Sequence, residues 1–270
     1  MLGLSAAQAS AQTQLVFGAY TSEQPSALVD QLRPAFDVIA QRLSADMGTP
    51  VTIRMQIMRT YEEGVQLIVD RRADFMRVGA ASFITAREKD PGISLLVLES
   101  MGGKTTFNGV IAVHRDSDIT RLEQLKGRSF AFGSSESTLG RYFAQQRLMR
   151  AGIRASDLAR FAYLERHDKV GTAVGSGLFD AGALEETMFR KLADSGTPIR
   201  ALVSYPNITR PWIVRGGLDS TLQAALRRQL LALDDKAALR AMRFDGFLDG
   251  RDADFEPTRQ AMSEIREFGD

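Results

Sequence analysis

The sequence predicts an α/β protein of two lobes, each a mostly parallel sheet flanked by helices, joined by two crossing strands. Three observations carry this. Short β-type runs alternate with helical patterns, the order restarts near residue 109, and beyond about residue 218 only helical patterning remains.

Four apolar runs bounded by turn residues open the chain as strands: LVFGAY (15–20), VTIRMQI (51–57), ADFMRVG (73–79) and ISLLVLES (93–100). Between the first two, Leu28, Leu32, Phe36, Ile39 and Leu43 recur at helical spacing, with Pro34 expected to kink or divide the segment. A second helix is expected from Tyr61 to Arg72, carried by Val65, Ile68 and Val69. GVIAVHRDSDI then reads as a strand leaving this unit, followed by a short helix, RLEQLKG, that Gly127 ends.

A second α/β unit follows from RSFAFG, a helix from Ser137 to about Arg150, RFAYL, a helix from His167 to Gly177, LFDAGAL and IRALVSY. RPWIVRGG is a further β-type run. No low-complexity linker separates the units, and the C-terminal helices are expected to fold back on the first lobe. The resulting division is 13–105 plus 208–270 for lobe one and 106–207 for lobe two, with hinges near 104–108 and 205–211.

Composition excludes several functions. The 34 basic and 33 acidic residues alternate in sign along the chain, so there is no clustered basic face for nucleic acid. No run approaches the roughly 18 apolar residues that span a bilayer. The absence of cysteine removes disulfides, thiolate chemistry, Cys-ligated metals and a lipid-modified N-terminal Cys. Residues 1–12 read as a signal-peptide remnant or a disordered start, because Ala9-Ser10-Ala11 has the small-x-small form of a signal-peptidase site.

The stretch FAFGSSESTLGRYFAQQRL sets Ser134, Ser135, Ser137 and Thr138 between a strand and a helix. One hydroxyl there caps the helix, since first-turn amides lack partners inside it. Several hydroxyls together with those amides would also cradle an oxyanion at the positive end of the helix dipole. Residue types alone leave both readings open.

Three segments narrow the choice. TFNGVIAVHRDSDITRLEQLKGRSFAFGSSESTLG, YEEGVQLIVDRRADFMRVGAASFITARE and RHDKVGTAVGSGLFDAGAL resemble, in order and separation, segments of the phosphate/phosphite/phosphonate substrate-binding proteins of ABC transporters. The resemblance implies a type II periplasmic-binding-protein fold that closes on a small oxyanion and hands it to an ABC permease. It also implies a monomer, free in the periplasm, with no cofactor or metal.

Carried over by resemblance, the oxyanion grip falls on Ser137, Thr138, Leu139 and Gly140. Leu139 replaces a hydroxyl residue, Ser135 stands by to compensate, and Glu136 is awkward beside an anion unless it points outward or is hydrogen-bonded. The family's first-lobe tyrosine corresponds to Tyr61, a second aromatic near the crossing to Phe107, and a ligand-contacting histidine to His167. Asp168 is expected to cap the helix after it. Tyr20 joins them because ligands lie beyond the carboxyl ends of strands in open α/β sheets. The places that meet a ligand amine in aminoalkylphosphonate binders fall near Thr187 and on Arg210, with Glu185 and Glu186 close by. An arginine there points to a ligand without an amine, or with a second acidic group.

Other chemistry fits less well. The segment ending Gly103-Lys104-Thr105 lacks the first glycine of a P-loop, Leu98 standing in its place, and no zinc-protease, nucleophile-elbow or dinucleotide motif is present. A transport binding protein is therefore the first reading. A sensory module for a receptor or kinase uses the same fold, and an enzyme with His167 as general base is the third.

Overall fold

A computed structural model describes residues 12–21 and 24–269; most of the 1–12 segment read as a signal-peptide remnant lies outside them. The first sheet takes β1 (Thr13–Tyr20), β2 (Val51–Met58), β3 (Phe75–Arg77) and β4 (Ser94–Glu99), separated by α1 (Pro25–Met47), α2 (Tyr61–Val69) and α3 (Ala80–Lys89). The second takes β5 (Thr106–His114), β6 (Ser129–Phe132), β7 (Arg160–Tyr163), β8 (Ala181–Glu185) and β9 (Ile199–Ile208). Among these lie a π-helical turn (Thr138–Phe143) that runs into α4 (Ala144–Arg150), then α5 (His167–Gly175) and α6 (Glu186–Asp194). The chain returns through β10 (Pro211–Val214), α7 (Ser220–Leu231), α8 (Lys236–Met242), β11 (Phe247–Leu248) and α9 (Glu256–Glu264).

The strand orders are β11-β4-β10-β3-β1-β2 and β7-β6-β8-β5-β9. In the first sheet β1 to β4 all point one way, and β10 and β11 run against them. In the second only β5 opposes its neighbours. This is the two-lobed α/β architecture expected. The two crossings run side by side: Thr106 pairs with Ile208, and the Thr209 amide donates to the Thr105 carbonyl at 2.9 Å.

Each sheet is covered on both faces. On one face of the first, Phe17 lies 4.7 Å from Phe36, 5.1 Å from Phe75 and 4.9 Å from Trp212, all inaccessible or nearly so. Burying one such ring contributes about 3 kcal/mol, and alternation along β1, β3 and β10 brings them to the same side. Helices α1, α7 and α8 seal that face, whereas Leu67, Met76, Phe83 and Ile213 fill the other.

Several local expectations change. Helix α1 runs through Pro34 without dividing. Helix α3 was not foreseen, because Ala80, Ala81, Phe83, Ile84 and Ala86 are all buried and leave no polar stripe to mark a period. The C-terminal helices do not all return to the first lobe. Phe255 packs on Phe83, but Ala261, Ile265 and Phe268 enter the core of the second sheet, and Gln146 of α4 donates to Glu264 at 2.7 Å. Helix α9 thus straps the lobes together, a choice made by surface complementarity rather than by its own pattern. Among the described residues, no helix is long and apolar enough to cross a membrane.

Helix α2 starts on a capping box. The Thr60 hydroxyl accepts from the Glu63 amide at 3.1 Å, and the Glu63 carboxylate accepts from the Thr60 and Arg59 amides at 3.2 and 3.0 Å. This fixes Tyr61 as the first helical residue. Thr60→Ala is expected to lower unfolding free energy by about 1 kcal/mol, checked by urea denaturation.

Candidate functional site

The carboxyl ends of β1, β3, β6, β7 and β8 face one cleft, and α2, α3, the π turn and α5 begin there. A cavity of about 60 Å³ lies between the lobes. Of the residues expected from sequence, Tyr20, Tyr61, Phe107, Ser137, Thr138, Leu139, His167 and Arg210 line it.

Helix-start amides are bonded within and across the cleft. The Ala81 amide, in the first turn of α3, donates to the Thr138 hydroxyl oxygen at 3.0 Å, both buried. Tyr20, from the end of β1, accepts from the Gly79 amide at 2.6 Å and shares a proton with Ser82 Oγ at 2.8 Å. A side chain at Gly79 would meet both the Tyr20 and Thr138 oxygens, which explains the glycine. The Tyr61 ring lies 4.3 Å from that of Tyr20, and Tyr61 and Ser137 both line the cavity. Burial pushes both phenols upward, so each keeps its proton to donate.

Ser137 caps the turn, its oxygen accepting from the Gly140 amide at 2.9 Å. Its carbonyl takes both the Arg141 and Tyr142 amides, at 3.0 and 3.2 Å, so the turn opens as a π turn in place of the α-helix expected. Gly133 and Gly140 let it lie against the end of β6. Leu139 turns its side chain into the second sheet's core, beside Gly109 and Tyr205, and the Tyr205 hydroxyl donates to the Leu139 carbonyl at 2.8 Å. The leucine is thus a packing residue anchoring the turn.

Charge in the cavity is paired. Arg210 donates to Glu185 at 2.6 Å and lies 5.5 Å from the centre of the Phe107 ring. Burial alone would depress the guanidinium, but the Glu185 and Glu99 carboxylates outweigh it and raise its pKa. Arg77 engages Glu99 through two nitrogens, and Trp212 Nε1 donates to the same carboxylate at 3.1 Å. His167 is held below its ordinary value by burial, against the pull of Glu185, and is therefore neutral near pH 7. Among the described residues no three acidic or histidine side chains gather as a metal site.

Two expected residues are elsewhere. Ser135 is exposed, with its carbonyl accepting from Arg141 at 2.7 Å. Thr187 is exposed on the first turn of α6, while Glu185, two residues earlier at the end of β8, is the one inside. Asp168 pairs with Arg166 at 2.9 Å and is not the N-cap of α5. Sequence reading also missed Arg77, Gly79, Ala80 and Asn207 as lining residues. The strand-end rule that found Tyr20 also points to Arg77 and Glu185, both last in their strands.

Glu136 is half-buried, and its carboxyl faces the Glu62 and Glu165 carboxylates and the Lys89 ammonium. A separate open groove of about 440 Å³ along α7 holds Arg227 and Arg228, which already pair with Asp249 and Asp46.

The fold has known counterparts. A family described as the periplasmic phosphonate substrate-binding protein of ABC transporters matches residues 17–255. The chain belongs to this family. It is 27% identical over 214 residues to a probable ABC transporter phosphite-binding protein, PhnD1, of Prochlorococcus marinus, covering 74% of this chain and 71% of that one. The structure of PhnD1 with methylphosphonate superposes with a TM-score of 0.79 at 20% identity, covering 94% and 99% of the two chains. XAC2383 from Xanthomonas citri, bound to chloride, gives 0.80 at 22% identity, covering 94% and 98%. These relatives share the two-lobed fold, and the family's members are transporter binding proteins.

The Glu136 carboxyl is raised by burial and by Glu62 and Glu165, against Lys89. A carboxyl raised by folding stabilises below its unfolded value and loses that contribution as pH rises through its folded value. Glu136→Gln is therefore expected to melt above the wild type at about pH 7, the difference closing toward about pH 4. Calorimetric melting over that range checks it; a lower melting temperature at pH 7 would mean that the attraction of Lys89 outweighs desolvation.

Proposed function

We propose that this protein is a periplasmic binding protein that captures a small phosphorus oxyanion, such as phosphite or methylphosphonate, and presents it to an ABC permease. The observation that carries the reading is the pairing of donors across one cavity. Tyr61 comes from one lobe and Ser137 and Thr138 from the other, so a ligand satisfies both sets only when the lobes are closed. Thr138 already accepts from Ala81, which leaves its own proton for an anion oxygen. Tyr61 supplies another donor. At the start of the π turn, the Thr138 and Leu139 amides precede any acceptor within it.

The work is mechanical. An oxyanion that bonds both lobes shifts the equilibrium toward closure, whereas one that touches a single lobe shifts nothing. The closed surface is what the permease would recognise, and ATP hydrolysis would belong to the transporter's other subunits. The reading has the protein act as a monomer without cofactor, and a cavity of about 60 Å³ favours a ligand with little beyond the oxyanion itself. The Prochlorococcus relative, named for phosphite and solved with methylphosphonate, supports this ligand class.

Calorimetric titration of refolded, ligand-free protein with phosphite, methylphosphonate, phosphate and sulfate is the test. Micromolar or tighter binding of a phosphorus oxyanion, about 8 kcal/mol or more, is expected. Ser137→Ala/Thr138→Ala should weaken it by about 100-fold or more, with the melting transition retained. No binding by the folded wild type would sink the reading.

A further inference from the structure

A cavity suited to an anion should not present a carboxylate, yet this one does. Glu185 closes β8 and begins α6, and its side chain is 14% exposed within the cavity wall. Left alone, it would repel any oxyanion gripped by Tyr61, Ser137 and Thr138. Arg210 removes that problem. It arrives from the other chain segment crossing between the lobes, meets Glu185 at 2.6 Å, and lies over the Phe107 ring.

No other cation can take its place. Arg77, the second arginine of the wall, is committed to Glu99 through two nitrogens. His167 is neutral and faces the combined fields of Glu185, Arg210 and Asp168. Glu186, next in sequence, turns away to Asn108 and Arg190. The pair is therefore a closed unit of zero net charge, and the oxyanion donors opposite it are hydroxyls and amides. The same wall carries two buried atoms without a hydrogen-bond partner, His167 Nδ1 and the acceptor Asn207 Oδ1.

We propose that Arg210 is a built-in counter-ion to Glu185, and that it restricts the site to phosphorus oxyanions with a small, uncharged substituent. This rests on reading the cavity as a phosphorus-oxyanion site. An aminoalkyl ligand would approach Arg210 as a like charge and would have to displace a tethered guanidinium to reach Glu185. A ligand with a second acidic group gains little, because the arginine is already neutralised. Once Arg210 is removed, Glu185 and Asn207 Oδ1 together offer an ammonium group a charge partner and an acceptor.

The test compares methylphosphonate and 2-aminoethylphosphonate on three refolded proteins: wild type, Arg210→Ala and Glu185→Gln/Arg210→Ala. Wild type is expected to prefer methylphosphonate by about 100-fold. Arg210→Ala should lose about 10-fold or more for methylphosphonate and gain 2-aminoethylphosphonate, inverting the preference. The double variant should recover methylphosphonate without gaining the amine. Equal weakening of both ligands by Arg210→Ala, or wild type binding the amine as tightly, would overturn the proposal while leaving the oxyanion reading intact. Wild type binding no phosphorus oxyanion would overturn both. Should Arg210→Ala fail to fold by circular dichroism, Arg210→Gln, which keeps most of the volume, takes the same comparison and decides on the same inversion.

Discussion

The first amides of a helix have no partner within it, and a buried donor left unpaired costs about 1 to 3 kcal/mol. In this protein the starts of α2, α3 and the π turn meet in one cleft, so their amides must be satisfied there. Gly79 is served by Tyr20 and Ala81 by Thr138. Thr138 reaches Ala81 from the opposite lobe. Satisfying helix starts and bringing the lobes together are therefore one event, and the small hydroxyl residues around position 137 serve both.

The same economy governs charge. Two arginines and two glutamates lie in or just behind the cavity wall, and each arginine has its own carboxylate. Buried ions are tolerated only when paired and hydrogen-bonded. With their fields cancelled, neutral dipoles decide what the cavity holds. Preorganised amides and hydroxyls suit an oxyanion because they require little rearrangement when it arrives.

Mechanical continuity comes from two sets of contact. Thr105 and Thr209 bond at the crossing, and α9 reaches from Phe83 of one lobe to the core around Phe132 of the other. A strap and a paired crossing on a two-lobed body restrict relative motion to a narrow path. That is the condition for a small ligand's bonds to register as a change of shape.

Much of this was legible in the sequence. Strands β1 to β10 follow from apolar runs and turn residues, and the restart of the pattern near residue 109 marks the second sheet, because local periodicity depends on near neighbours alone. That Tyr61, Ser137, Thr138 and His167 gather in one cavity was legible through motif order. The tertiary structure alone decided the remainder. Burial of its first turns hid α3, and Glu185 enters the cavity while Thr187 is exposed because the strand gives way to helix α6 between them. Which lobe receives α9, and that Arg210 is answered by Glu185, depend on residues 25 to more than 100 positions apart, and no local pattern specifies such a distance.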